Sequence, residues 1–389
     1  MGMKKYRNKF PIIRREINYL KACSLGTIPD VGVQAVEELK DALMDQMDMF
    51  PVREELRSAY AEIINANPEE IAITPNTSST ICRILNCFDY GTRNKLVVSA
   101  ISFPAIPYAC CAQRGRGAEV SFVPSAQEIG TPPVHDLRPE PSDYEKAIDE
   151  DTLMVLLNSA SSETGFRQDR IEEIIEIAHE KGAYVFLDIG QTVGQFLEDF
   201  REIDADFMAG VSYKKLLCPM GNAFLSVKEE LIEELESLNA GWWSARDPME
   251  RYPKWLESIG RNELSKTASR FELGHPRLPI DYVSLRILDW VNKIEVKKIE
   301  NYVKDLLEYG HNRITEGGFD SYEAKSPYRK EQRSHLTIKN IDSVKVMNEL
   351  AKEDIRVAKW GEEEIRISPH FYNTKEDIDE VIVNLKNII

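Results

Sequence analysis

The chain reads as an α/β protein: a large unit on a mostly parallel sheet, followed by a smaller α+β unit towards the C-terminus. Three observations predict this. From about residue 54 to 240, apolar residues at helical spacing alternate with short apolar runs. Those runs are apolar throughout, as strands are when a parallel sheet buries them on both faces. After about residue 270 the pattern changes to helix, a few strands and a closing helix.

In chain order, a helix is expected over 54–67 and a strand over Ile71–Thr74. A second helix follows at once, with Ile81, Ile84, Leu85 and Phe88 on its buried face. Next come a strand at Lys95–Ser99 and the Gly115-Arg116-Gly117 group. Those glycines look like a fragment of a dinucleotide fingerprint, yet they run into the strand-like Glu119–Val123 and not into a helix, so a plain turn is expected. Further strands are expected at 153–156, 184–187, Phe207–Val211 and Ala223–Val227, and a helix at 169–181 carries Ile171, Ile174, Ile175 and Ala178 on one face. Beyond 270 the strands fall near 334–338 and 364–368, and an amphipathic helix starts at about Lys375. The expected division is an N-terminal segment 1–15, a large domain 16–269 and a small domain 270–389.

Composition narrows the class of function. With 389 residues and 42 % apolar content the chain can bury a substantial core. Its formal charge of −16 repels phosphate backbones and anionic lipid, which argues against nucleic acid as main partner. No apolar run approaches the roughly 18 residues of a membrane span, and Met1-Gly2-Met3-Lys4-Lys5 leads into polar sequence, so a cytoplasmic protein off the membrane is expected. The six cysteines show neither CxxC pairs nor a disulfide framework, and none has a histidine at metal-ligand spacing. Reduced thiols and no metal are expected, with Cys110 and Cys111 as small buried hydrophobes.

Ligands of open parallel sheets collect beyond the carboxyl ends of the strands. There the run 184–187 leads into Asp188-Ile-Gly-Gln191, and a later strand leads into Ser212-Tyr213-Lys214-Lys215. Pyridoxal phosphate chemistry requires such an acid and lysine: an amine to form the Schiff base, and a carboxylate to keep the pyridine nitrogen protonated so the ring acts as an electron sink. A capping Asp and a solvated Lys would give the same pair of letters. Thr74-Pro75-Asn76-Thr77-Ser78-Ser79 lies between a strand and a helix, leaving Thr77 and Ser78 in a first turn where free N–H groups and the dipole favour an anion. In Glu364-Ile365-Arg366-Ile367-Ser368, strand alternation puts Arg366 on the face opposite Ile365 and Ile367.

Several of these segments together resemble one family. Asp188-Ile-Gly-Gln191, Ala205-Asp206-Phe207 and Ser212-Tyr213-Lys214-Lys215-Leu216-Leu217-Cys218-Pro219-Met220-Gly221 look like the cofactor segments of class V aminotransferases and cysteine desulfurases, whose fold is the PLP-dependent transferase fold type I. The resemblance runs in order from Tyr19-Leu20 to Tyr372-Asn373-Thr374. It implies that Lys214 carries the cofactor as a Schiff base with Tyr213 beside it, that Asp188 meets the pyridine nitrogen, and that Gln191 lies near the ring oxygen. Lys215 falls where the family usually has Trp or Phe. By the same resemblance Thr77 and Ser78 hold the cofactor phosphate, Phe103 of Ser102-Phe103-Pro104 stacks on the ring, and Ser162 stands where the family usually offers Asn to the ring oxygen. Arg83 is left on its helix surface.

Arg366, in Arg366-Ile-Ser-Pro-His-Phe-Tyr-Asn-Thr374, matches the arginine that binds the substrate α-carboxylate, a bidentate task suited to a planar guanidinium. Arg270-Phe-Glu-Leu-Gly274-His275-Pro276 resembles a segment that reaches the phosphate of the neighbouring subunit, which implies a homodimer with shared active sites and His275 in place of the usual Thr. Within the family, an incoming amino acid displaces the lysine, which then moves a proton at the α-carbon or at C4′ of the cofactor. A persulfide-forming desulfurase needs a mobile cysteine upstream of the arginine, and 354–364 contains none. Kynureninases share Ser24-Leu25-Gly26, Phe103-Pro104, Ser212-Tyr213-Lys214 and the Gly241-Trp242-Trp243 group, yet typically carry His at the position of Gln191. Trp242 and Trp243 either line a substrate pocket or anchor the domain junction. Aminotransfer is the expectation, followed by C–S lysis of a cysteine-like substrate and by epimerisation. A non-catalytic scaffold has no need of Lys214, Asp188 and Arg366 together, and an NAD-dependent dehydrogenase lacks its glycine fingerprint.

Overall fold

The computed structural model describes residues 2–45, 48–124, 138–251, 263–322 and 332–389. Its strands are β1 (Asn18–Tyr19), β2 (Ile71–Thr74), β3 (Lys95–Ser99), β4 (Glu119–Val123), β5 (Thr152–Asn158), β6 (Tyr184–Asp188), β7 (Phe207–Val211) and β8 (Ala223–Val227), then β9 (Leu336–Ile338), β10 (Ile355–Arg356), β11 (Ala358–Trp360) and β12 (Glu364–Ile367). The large sheet has the order β2-β8-β7-β6-β5-β3-β4. Only β8 runs antiparallel to its neighbours. The mostly parallel sheet and the smaller α+β unit expected from the sequence are both present.

Both faces of the sheet are covered, as the uniform apolar runs require. Val97, Val155, Leu157, Val185 and Leu187 join one apolar core, which also holds residues of the helices Pro51–Ile63 and Ile171–Glu180. Their chain neighbours Leu96, Val98, Met154, Leu156 and Phe186 join the other, with residues of the helices Thr77–Leu85 and Ala105–Ala112. One strand thus feeds two cores because successive side chains point to opposite faces.

Two elements differ from their expected bounds for local reasons. The helix expected at 54–67 begins earlier, with Pro51 in its first turn, and ends at Ile63. Proline suits a first turn, and Asn65 at φ +53° lies in a left-handed conformation that halts a helix. The strand expected at 334–338 is shorter because Ser334 turns its backbone elsewhere: its N–H donates to the Gly165 carbonyl. The Gly115 region is a 3-10 turn closed by Gly117 at φ +103°, as expected of a turn.

The small sheet, of order β11-β12-β9, is antiparallel and places β12 in the middle. Residues 278–294 fall in the second unit of the sequence-based division, and their helix packs against Pro51–Ile63 and Asp30–Met44. Glu272 anchors this stretch: buried, it pairs with Arg53 and Arg57 and accepts the Ile73 N–H at 2.8 Å. The two arginines hold its carboxyl below the usual range against the opposing effect of burial. Among the described residues no helix is long and apolar enough to cross a membrane.

Candidate active site

The ends of the strands bring the candidate residues together. Asn158 and Asp188 are the last residues of β5 and β6 and are register partners, so both stand at one carboxyl edge. Past the end of β2, Asn76 caps the helix Thr77–Leu85 by accepting the Ser79 N–H at 2.9 Å. Past β7 the chain folds into the loop that bears Lys214. The Cys218 N–H donates back to the Ser212 carbonyl at 3.1 Å, and Leu217 takes a positive φ of 63°. The N-terminal loop lies directly on this lysine loop, where Gly26 N–H donates to the Tyr213 carbonyl at 2.8 Å. A Cβ at residue 26 would overlap the Lys214 carbonyl oxygen, so the close approach requires glycine.

These elements line a cavity open to solvent, about 460 Å³ with its open part included. Thr77, Ser78, Phe103, Ser162, Asp188, Gln191, Tyr213 and Lys214 all line it. Asn158 lines it too and was missed by the sequence reading; its signal was its place at the carboxyl end of an apolar run. The Lys214 amine lies 5.4 Å from the centre of the Phe103 ring. Burial pushes that amine below the ordinary lysine range, with Arg366 acting in the same direction and Asp188 and Cys23 against it. Burial pushes the Asp188 carboxyl up, opposed by the Gly190 N–H, which donates to it at 2.8 Å, and by Lys214.

Unsatisfied polar atoms report what the cavity lacks. The Thr77 hydroxyl and the Gln191 amide oxygen are buried without a partner. An unpaired buried polar atom costs about 1–3 kcal/mol, so native sites that keep one commonly have a ligand to satisfy it. A hydroxyl at a helix N-terminus suits a phosphate, the Gln191 amide suits a ring substituent, and Asp188 suits a protonated ring nitrogen. The residues present fit pyridoxal phosphate. The Gln191 amide N–H groups donate to the Cys23 carbonyl and the Ser162 hydroxyl, both at 3.2 Å, which orients its free oxygen.

Two candidates stand apart from the cavity wall. Arg366 is 7 % exposed, donates to the Ser162 carbonyl at 2.8 Å and stacks over Trp360 at 4.8 Å, so Ser162 joins it to the cavity. Its Nε is buried without a partner. His275 packs within an aromatic group, with ring centres 4.8 Å from Trp242, 6.0 Å from Trp243 and 6.1 Å from Phe50. Neither tryptophan lines the cavity of its own chain. Arg83, expected on the helix surface, is instead half-buried and donates to the Phe271 carbonyl at 3.1 Å. Cys110 is buried as expected, whereas Cys111 is half-buried.

The family model for class-V aminotransferases matches residues 44–381 of this chain. An uncharacterized aminotransferase of Bacillus subtilis (strain 168), YcbU, is 27 % identical over 381 residues, spanning 97 % of this chain and 95 % of that protein. A probable cysteine desulfurase of Methanothermobacter thermautotrophicus is 27 % identical over 410 residues, spanning 98 % and 97 %. The apo structure of a cysteine desulfurase from Thermococcus onnurineus NA1 shares the fold at a TM-score of 0.83 and 19 % identity, covering 99 % of this chain and 97 % of that one.

Proposed function

Since this chain belongs to the class-V aminotransferase family, we propose that it is a pyridoxal-phosphate-dependent aminotransferase acting at the α-carbon of an amino acid. One observation carries the reading: a buried acid and a half-buried lysine face the same cavity as an orphaned hydroxyl at a helix N-terminus. Lys214 would hold the cofactor covalently, Asp188 would meet its ring nitrogen, and Thr77 and Ser78 its phosphate. Gln191, with Ser162 behind it, would meet the ring oxygen, and Phe103 and Tyr213 would flank the ring. Bound there, pyridoxal phosphate supplies an electron sink for the bonds of the substrate's α-carbon.

The rest of the work falls to the chain's own groups. A carboxylate whose charge is penalised by burial gains strongly from a cationic partner, so Asp188 favours a protonated ring nitrogen. Lys214, its amine pushed below the ordinary lysine range by burial, gives up a proton more readily than a solvated lysine, and once freed it would move a proton between the substrate α-carbon and C4′ of the cofactor. Arg366 would orient the substrate through its α-carboxylate: its Nε has no partner, and each Nη keeps an N–H beyond its bond to the Ser162 or Lys359 carbonyl. Transamination needs no further group than this lysine. C–S lysis by persulfide relay would need a cysteine in 354–364, where there is none.

His275 lies outside its own chain's cavity, as a residue offered to a neighbouring chain must, and we propose a homodimer in which each chain completes the other's site. The function is tested on protein loaded with pyridoxal phosphate. Borohydride reduction and peptide mapping should place the label on Lys214, and a panel of amino acids should bleach the visible band and turn over only when a keto acid is added. Label on Lys215 or on neither lysine refutes the assignment. Pyruvate with sulfide from cysteine or cystine, without an acceptor, would replace the aminotransferase by the C–S lyase.

A further inference from the structure

The residue after the cofactor lysine is itself a lysine, and it is sealed in the protein. Lys215 is 1 % exposed. Its amine donates to the Ser334 carbonyl at 3.1 Å and to the Ser368 hydroxyl at 2.6 Å. Among the described residues no carboxylate forms an ion pair with it. Burial, aided by Lys214 and Arg366 and opposed by Cys23, pushes its pKa down to about 7. An apolar side chain of similar length would fill the space without this desolvation cost, so the amine's hydrogen bonds are what distinguish it from simple packing.

Those bonds join particular places. Ser334 lies just before β9, and Ser368 lies just after β12, two residues beyond Arg366. Gln195 of the large unit also donates to the Ser334 carbonyl, at 3.2 Å. The Ser368 N–H donates to the Leu20 carbonyl at 2.8 Å, in the N-terminal loop that covers the lysine loop. The Lys215 carbonyl in turn meets the His370 ring at 2.9 Å. One side chain therefore ties the residue next to Lys214 to the end of the β9–β12 pair, the pair that carries Arg366.

We propose that Lys215 is a positioning residue that clips the cofactor-lysine loop to the small sheet, so that Lys214 and Arg366 keep a fixed separation matched to an α-amino acid. This rests on the reading of Lys214 and Arg366 given above. An aromatic side chain at this position could not donate to both serines.

The test uses cofactor-loaded protein and two small nucleophiles that attack the lysine-bound cofactor and change its absorbance: aminooxyacetate, which carries a carboxylate, and O-methylhydroxylamine, which does not. Their rates are compared at equal concentration, so the ratio reads how well a carboxylate at Arg366 is aligned with the carbon held by Lys214. In the wild type the ratio should favour aminooxyacetate strongly. In Lys215→Met it should fall about ten-fold, most of one charge-assisted contact, while the rate with O-methylhydroxylamine stays near wild type. Ser368→Ala removes one partner of the amine and should lower the ratio less, in the same direction; it decides the matter if Lys215→Met does not fold. A ratio unchanged in both variants, even with lowered melting temperature, overturns the clip and leaves the cofactor reading intact. A wild type without preference overturns the role of Arg366 and the clip with it.

Discussion

Adjacent lysines in the sequence have opposite surroundings. Lys214 opens on a cavity with Asp188, while Lys215 is sealed against two serines and lies close to His370. Chain geometry accounts for this, since neighbouring side chains in an extended or turning segment leave the backbone on different sides. His370 shows the same local logic. Fully buried, with Lys215 acting in the same direction, its imidazole is held at about pKa 3 against an ordinary 6.5. Between those values the unfolded chain binds a proton that the folded chain refuses, so the stability contributed by neutral His370 is complete above about 6.5 and is lost as pH falls towards 3. The melting temperature should therefore drop on going from about pH 7 to about pH 5, and His370→Asn should drop less over the same interval. Asp188 and Glu198, raised by burial, act in the opposite sense, which is why the difference between wild type and variant is the quantity to measure. Parallel pH profiles for the two proteins would show that His370 does not carry the effect.

At the scale of the element, the helix Thr77–Leu85 does two jobs with two faces. Ile81, Ile84 and Leu85 are fully buried and seat it against the sheet, while its first turn faces the cavity. The seat is stiffened from behind, because Glu272 holds the Ile73 N–H and Arg53 donates to the Ile73 carbonyl at 2.7 Å, just upstream of the turn. A phosphate held by that turn would use the Thr77 hydroxyl, which is otherwise buried without a partner. Thr77→Val keeps the shape and removes the hydroxyl. It should weaken pyridoxal phosphate by about ten-fold, the value of one hydrogen bond to a charged group, and leave pyridoxal unaffected. Equal weakening of both, measured by fluorescence or absorbance titration, would place the phosphate elsewhere.

For the whole molecule, the chain's ends close on each other. Phe10 packs on Tyr372 at 4.5 Å between ring centres, and Arg7 makes a two-pronged pair with Asp377. The segment around Arg7 and Phe10 is thus bound to the small unit, and the loop at Gly26 further along lies on the Lys214 loop. The proposed dimer adds a second chain to this arrangement. Inactive Lys214→Ala protein mixed with an inactive variant altered at 274–276 should regain activity, because a hybrid dimer contains one intact site. No recovery, although mixed dimers are detected by mass, would mean that each site is complete within its own chain.

The sheet strands, the Asp188 to Gln191 motif and the Lys214 loop were legible in the chain because they depend on short-range pattern: uniform apolar runs and polar residues at their carboxyl ends. Eight of the ten candidate site residues line one cavity; Gln191, Tyr213, Phe103 and Ser162 among them were named by the resemblance and not by the pattern of the runs. Asn158 had a local sign, its place at the carboxyl end of an apolar run, but its position beside Asp188 comes from register between β5 and β6, which single-strand patterns leave open. The burial of Arg366 was hidden too, because it depends on β12 lying between β9 and β11, and on a carbonyl and a tryptophan distant in sequence. The sealing of Lys215 had no local sign at all. Its partners come from Ser334 and Ser368, so the contrast between a lysine that lines a cavity and a sealed one was set by long-range packing, which fixes what each amine touches and hence how costly its charge is.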